Sequence, residues 1–175
     1  MKICLSGAQA TGKSTVLNEL KKHPKLQEYN FISEIVRNLI KEGVQINKGA
    51  DQTSQVRILE EHYKNTWKFD KFITDRCSID AFVYATWDYL HGNYTYEQHK
   101  IHEKMFLDSV NRYDYFFYIP IEFDIIPDGV RATDVLYQKE IDELFREIYR
   151  RYELMTYKLT GSLENRVRQF YEALR

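Results

Sequence analysis

The chain has 175 residues, enough for one domain with its own core, and 43% of them are hydrophobic, which excludes a disordered composition. Its 25 basic and 26 acidic residues nearly cancel and leave a net charge of −1, which argues against binding nucleic acid through overall charge. We therefore expect a single domain over residues 1–175 with a small-molecule partner. Nucleic acid is a less favoured partner, and it stays an alternative because the basic residues could still form a local patch in the fold.

Apolar segments are short throughout the sequence. The run at residues 3–6 is too short for the core of a secretory signal, and no stretch reaches the length of a membrane span. The two cysteines, Cys4 and Cys77, are interpreted as free thiols in a reducing compartment. We expect a cytoplasmic protein, and both a monomer and a homodimer are compatible with the sequence.

The predicted elements alternate between short apolar runs and longer segments of helical period. This pattern is typical of an α/β domain with a mainly parallel sheet. Strands are expected at residues 2–6, 30–33, 72–74, 115–119 and 155–159. Helices are expected from residue 13, through 35–40, over 51–68, 79–90, 95–110 and 141–152, and around 163–174.

Residues 7–14 match the pattern G-x-x-x-x-G-K-[ST], with an apolar strand before them and an amphipathic helix after them. Glycines permit backbone torsions closed to other residues, so the loop N–H groups can turn inward on phosphate oxygens at a helix N-terminus. Lys13 would add charge near the β- and γ-phosphates, and the Ser14 hydroxyl would ligate Mg²⁺. The predicted phosphate contacts are Gly7, Ala8, Gln9, Ala10, Thr11, Gly12, Lys13, Ser14 and Thr15.

Acidic and basic residues also follow the second and third predicted strands. Glu34 and Arg37 lie one helical turn apart after the second, and Asp75 and Arg76 follow the third, with Asp80 in the next helix. Because ligands of a parallel sheet bind beyond the carboxyl ends of its strands, these residues are expected to face the loop. Asp75 suits the Mg²⁺ shell or a general base, Glu34 is its rival as base or acceptor ligand, and arginines suit phosphate. Helix caps and surface ion pairs are the competing interpretation.

Arg131 lies in the loop after the fourth predicted strand, ahead of a helix with further basic residues. We expect a lid, about residues 124–151, that closes Arg131 over the transferring phosphoryl group and excludes water. The competing interpretation of the basic residues in the helix is ordinary i,i+4 pairing, such as Asp142 with Arg146 and Glu147 with Arg151.

In their order along the chain, these motifs resemble the NadR-like group of P-loop proteins, an AAA-type family that includes ribosylnicotinamide kinase domains and lies near the nucleoside and nucleotide kinases. Besides the phosphate loop, the resemblance rests on four motifs. They are E-x-x-R at residues 34–37, D-R-S-x-x-D at 75–80, D-G-x-R at 128–131, and a turn at 159–162 before a helix with Arg166. Two departures stand out: Cys77 replaces the serine, and Gln138 and Lys139 lie near where relatives often have arginine.

The resemblance implies a three-layer P-loop kinase fold, with a five-stranded parallel sheet of nucleoside-monophosphate-kinase type and a helical lid. It also implies ATP as phosphoryl donor and Mg²⁺ as metal. A turn near Gly161 would pack on adenine, and the acceptor pocket would lie near Glu34 and Arg37.

The leading functional prediction is an ATP- and Mg²⁺-dependent kinase that acts on a small nucleoside, nucleotide or ribosylnicotinamide-like acceptor. The candidate catalytic residues are Lys13, Asp75, Glu34 and Arg131, the candidate acceptor ligands are Glu34, Arg37, Arg76 and Asp80, and the candidate metal ligands are Ser14 and Asp75. One alternative is a kinase that acts on a DNA hydroxyl, at a modified base or an end. Another is a nucleotide-binding ATPase switch without an acceptor.

Overall fold

The computed structural model of the chain describes residues 1–33, 52–125 and 134–175. Five parallel strands form one sheet in the order β2-β3-β1-β4-β5. They are β1 (Lys2–Ser6), β2 (Asn30–Ile32), β3 (Phe72–Asp75), β4 (Tyr115–Tyr118) and β5 (Thr156–Lys158). The five-stranded parallel sheet predicted from the sequence is confirmed, and each strand ends within one residue of its predicted bounds.

The described residues contain six α-helices. They are α1 (Lys13–Leu20), α2 (Gln52–Lys68), α3 (Ser78–Leu90), α4 (Tyr96–Val110), α5 (Val135–Arg151) and α6 (Leu163–Ala173). Helix α5 begins earlier than its apolar stripe indicates, because the Asp134 carboxylate accepts hydrogen bonds from the backbone N–H groups of Leu136 and Tyr137. The helix predicted over residues 35–40 lies outside the described residues.

The sheet is buried on both faces, as parallel sheets usually are. Successive side chains of β1 point to opposite faces, so Cys4 joins one core cluster while Ile3 and Leu5 join the other. The first cluster takes buried phenylalanines from the helices α3, α4 and α5, and the second takes apolar residues from α1 and α6. The fold therefore has three layers, with helices on both faces of the sheet.

The strand register determines which residues meet at the carboxyl edge of the sheet. Central β1 pairs with β3 through Leu5 and Asp75, and with β4 through Ser6 and Tyr118. Because all five strands are parallel, the segments that follow β1, β3 and β4 leave the sheet at the same edge. The phosphate-loop motif and the Asp75–Arg76 pair are thereby brought together.

Among the residues that the structure describes, no helix combines the length and the apolar character needed to cross a membrane.

The packing of β4 against α6 can be tested at Phe117, which is fully buried with its ring centroid 4.6 Å from that of Phe170. Phe117→Ala leaves a cavity between sheet and helix, so we expect the free energy of unfolding to fall by about 3–5 kcal/mol. Chemical denaturation measures the change. Leu107→Ala, at a position 44% exposed on α4, is the control and should cost less than about 1 kcal/mol. A similarly small loss for Phe117→Ala would contradict the described core.

Candidate active site

The loop between β1 and α1 has an unusual backbone. Gly7, Ala10 and Gly12 have positive φ angles of 141°, 58° and 92°. A Cβ atom at Gly7 would also lie 2.4 Å from the carbonyl oxygen of Ile119, just past the end of β4. Glycine is therefore required at position 7 both by the backbone conformation and by the close approach of a neighbouring chain segment.

Lys13 lies inside this loop. The residue is 4% exposed, and its ammonium donates to the carbonyl oxygens of Gly7, at 2.9 Å, and Ala8, at 2.6 Å. Charged phosphate oxygens are stronger partners for an ammonium than neutral carbonyls. The position therefore suits a side chain that transfers its hydrogen bonds to a bound phosphate.

Ser14, in the first turn of α1, and Asp75, the last residue of β3, are in direct contact. The Ser14 hydroxyl donates to Oδ2 of Asp75, while Oδ1 of Asp75 is buried and has no hydrogen-bond partner among the described residues. Mg²⁺ prefers hydroxyl, carboxylate and water oxygens. The two side chains therefore fit the shell of a divalent cation.

Arg76 follows Asp75 in a backbone conformation that is rare for arginine, with φ at 84°. Its N–H donates to the carbonyl oxygen of Leu5, 2.9 Å away, which ties this turn to the end of β1. The guanidinium lies 5.4 Å from the centre of the Tyr84 ring and 3.8 Å from Oδ1 of Asp80. A cation over an aromatic ring is thus held one residue from the candidate metal ligand.

Asp80 is 1% exposed, and its Oδ2 accepts a hydrogen bond of 3.0 Å from the N–H of Cys77, so it caps the start of α3. Burial raises the pKa of its carboxyl group to about 6, although Arg76 and Lys13 act in the opposite direction. These are the contacts of a helix cap, which was the competing interpretation of the acidic residues. The link from Asp80 to the site is its ion pair with Arg76.

Three further side chains contact the loop: the sequence analysis named Gln138 and Arg166 only as part of the family pattern, without a contact to the loop, and it did not name Tyr84. Tyr84 donates to Oε1 of Gln9 at 3.0 Å, Gln138 of α5 donates to the carbonyl oxygen of Gln9 at 2.7 Å, and Arg166 of α6 donates to that of Thr11 at 2.8 Å. Gln138 and Arg166 were detectable as polar residues within otherwise apolar helical stripes, because each lies three or four positions from a buried residue of its helix.

The turn predicted to pack on adenine lies beside the loop. Gly161 has a φ of 81°, and its N–H donates to the Glu122 carboxylate, with the shorter distance 2.8 Å. The Gly161 carbonyl oxygen accepts from Nε of Arg166 at 3.1 Å. Since Arg166 also holds Thr11, one side chain connects this turn to the loop.

Several candidate residues lie outside the described residues, namely Glu34, Arg37, Asp128 and Arg131. In the described part of the predicted lid, the Arg146 guanidinium lies 3.4 Å from the Asp142 carboxylate, one helical turn away. The i,i+4 interpretation is therefore confirmed for this pair.

Solved structures of nucleoside and nucleotide kinases share the fold. Deoxyadenosine kinase from M. mycoides, with products dCMP and a flexible dCDP bound, has a TM-score of 0.74 at 18% identity, covering 99% of this chain and 98% of that one. Thymidylate kinase from Candida albicans has a TM-score of 0.69 at 15% identity, covering 98% and 89%. At these identities the likeness establishes the fold alone.

The NadR protein in complex with NR is also similar, with a TM-score of 0.77 at 19% identity. The match covers 98% of this chain and 50% of that protein, so this chain spans about half the length of NadR. No curated protein sequence matches the chain. The model of a family described as AAA domain matches residues 2–166, which include the loop, Asp75 and Arg166. The chain therefore belongs to the AAA domain family (AAA_28), as a P-loop protein with the fold of the nucleoside and nucleotide kinases.

Proposed function

We propose that the chain is an ATP- and Mg²⁺-dependent kinase that phosphorylates a small nucleoside, nucleotide or ribosylnicotinamide-like acceptor. The observation that carries the proposal is the position of Arg76, which lies over the Tyr84 ring and one residue from Asp75. A nucleotide-binding switch needs the loop and a carboxylate for the metal. An arginine held one residue beyond that carboxylate suits a second, anionic or hydroxylated ligand.

The donor end of the site is formed by residues 7–15. The loop N–H groups and the N-terminus of α1 would bind the phosphates of ATP, and Lys13 would exchange its bonds to Gly7 and Ala8 for phosphate oxygens. Ser14 and Asp75 would hold Mg²⁺, which when bound neutralises charge on the phosphate oxygens. The turn at Gly161 would contact the adenine.

The acceptor end is assigned to Arg76, with Asp80 as its buried partner, and to Glu34 and Arg37 from the sequence. Because Oδ2 of Asp75 is bonded to Ser14, we assign Asp75 to the metal shell and the general base to Glu34. Arg131 from the lid would stabilise charge on the transferring group. In this scheme the side chains position the two substrates and stabilise charge, which is what phosphoryl transfer needs from a protein.

The role of Lys13 is tested by Lys13→Met, which keeps the aliphatic stem and removes the ammonium. We expect kcat/KM for ATP-dependent phosphorylation to fall about 10³-fold, because a charge that stabilises the transition state is lost. A coupled assay of ADP formation measures the change. Lys21→Met, at an exposed position just after the same helix, is the control and should retain activity. Phosphotransfer at the wild-type rate in Lys13→Met would exclude this loop as the donor site.

The assignment of Asp75 to the metal shell is tested by Asp75→Asn. An amide oxygen binds Mg²⁺ more weakly than a carboxylate, so the Mg²⁺ concentration for half-maximal activity should rise about tenfold. Titration of activity with Mg²⁺ at saturating ATP gives this value. Asp70→Asn, at an exposed position shortly before β3, is the matched control. If Asp75→Asn lowers activity without changing the Mg²⁺ requirement, Asp75 has another role.

The acceptor is identified by incubating the protein with ATP and a panel of nucleosides, nucleotides and nicotinamide riboside. We expect one chemical class to accelerate ADP formation and to yield a phosphorylated product detectable by mass spectrometry. DNA oligomers in the same panel test the polymer alternative, for which binding should weaken steeply with salt. Slow ATP hydrolysis that no acceptor accelerates would contradict the kinase proposal and favour a switch.

A further inference from the structure

Two buried side chains from helices far along the sequence hold carbonyl groups of the phosphate loop. Gln138 of α5 is 2% exposed, and its Nε2 donates to the carbonyl oxygen of Gln9 over 2.7 Å. Arg166 of α6 is 3% exposed, and its NH1 group donates to the carbonyl oxygen of Thr11 over 2.8 Å. Neither residue belongs to the loop motif, and neither has a role in the scheme above.

These contacts fix the direction of the next N–H group in each case. In a planar trans peptide the C=O and N–H bonds point in opposite directions, and no peptide bond among the described residues is cis. A carbonyl of Gln9 turned toward Gln138 therefore turns the N–H of Ala10 in the direction opposite to Gln138. In the same way, the bond from Arg166 to Thr11 directs the N–H of Gly12.

We propose that Gln138 and Arg166 are positioning residues that aim the N–H groups of Ala10 and Gly12 at the phosphates of the bound nucleotide. The proposal deepens the proposed function and rests on its nucleotide site. Donors held in place before the ligand arrives bind it more tightly, because little conformational freedom is then lost on binding.

Arg166 has a second set of contacts that Gln138 lacks. Its NH2 group lies 2.6 Å from Oε2 of Glu122, and both residues bond Gly161, Arg166 at the carbonyl and Glu122 at the N–H. A Cβ at Gly12 would lie 3.0 Å from NH1 of Arg166, so the loop packs directly on the guanidinium. Arg166 therefore connects the phosphate end of the donor site to the turn proposed for adenine, whereas Gln138 acts on the phosphate end alone.

The test compares Gln138→Leu and Arg166→Met, which keep side-chain volume and remove the donors. The control for α5 is Glu143→Leu, and the control for α6 is Arg168→Met, whose side chain is 64% exposed. Isothermal titration gives the Kd of inorganic tripolyphosphate and of a non-hydrolysable ATP analogue, both with Mg²⁺. The measurements are made well below the melting temperature of each variant, so that a loss of stability alone leaves Kd unchanged.

We expect Gln138→Leu to raise the Kd of both ligands by a similar factor, about tenfold. Arg166→Met should raise the Kd of tripolyphosphate about tenfold and that of the ATP analogue about 100-fold, because the Gly161 turn is released as well. Unchanged Kd values in folded Gln138→Leu and Arg166→Met, or equal changes in the two controls, would overturn the proposal.

Glu122→Gln is the second variant for the case in which Arg166→Met does not fold. The Glu122 side chain is 30% exposed, so the change is milder, and the bond from Arg166 to Thr11 has its own donor. It should weaken binding of the ATP analogue about threefold and leave tripolyphosphate unchanged, and equal effects on both ligands would refute the separate role of the turn.

The binding assay contains no acceptor, so it separates this proposal from the kinase proposal. A wild-type protein that binds the analogue but phosphorylates no acceptor refutes only the kinase activity. If the Gln138 and Arg166 variants bind both ligands as tightly as the wild type, only the positioning role is refuted. If the wild-type protein binds neither ligand, both proposals are refuted.

Discussion

A loop that binds phosphate through its N–H groups must find partners for its carbonyl groups elsewhere, and much of this structure meets that constraint. Buried carbonyls without hydrogen bonds are costly. Here Gln138 and Arg166 bond one carbonyl each, and Lys13 bonds two more, although a bound phosphate would take over its ammonium. The partners come from α1, α5 and α6, which lie on both faces of the sheet. The loop conformation therefore depends on the assembled three-layer fold as well as on its own glycines.

The positions of Asp75 and Arg76 depend on the register between β1 and β3. Pairing of Leu5 with Asp75 places the carboxylate level with the end of β1, where α1 can present Ser14 to it. The turn at Arg76 then bonds back to Leu5 and keeps the guanidinium at this edge. Because a shift of one residue would move Asp75 to the other face of the sheet, the buried side chains that fix the register also fix the site.

The sequence predicted the fold closely, because apolar periodicity and the loop motif are local signals. The same local signals identified Lys13, Ser14, Asp75 and Arg76 as neighbours, since parallel strands end at one edge. The contacts of Gln138 and Arg166 with the loop could not be predicted, although both residues belong to the family pattern, because these contacts span 129 and 155 residues and follow no spacing rule. The sequence also could not predict whether the Asp80 carboxylate caps α3 or faces a ligand. Carboxylates with either role follow a strand at the same spacing.

Burial gives a physical reason for one of the two departures from the family pattern. Cys77 is fully buried at the start of α3 with its Sγ 2.7 Å from that of Cys4, and no contact among the described residues explains its choice over serine, which also caps helices well. Gln138 is buried against a neutral carbonyl, which an amide satisfies without the counter-charge that a buried arginine requires. Arg166 has that counter-charge in Glu122, so it can be buried as a cation. The chain thus uses a neutral donor on one side of the loop and a paired cation on the other, and it is the cation that also bonds the turn at Gly161.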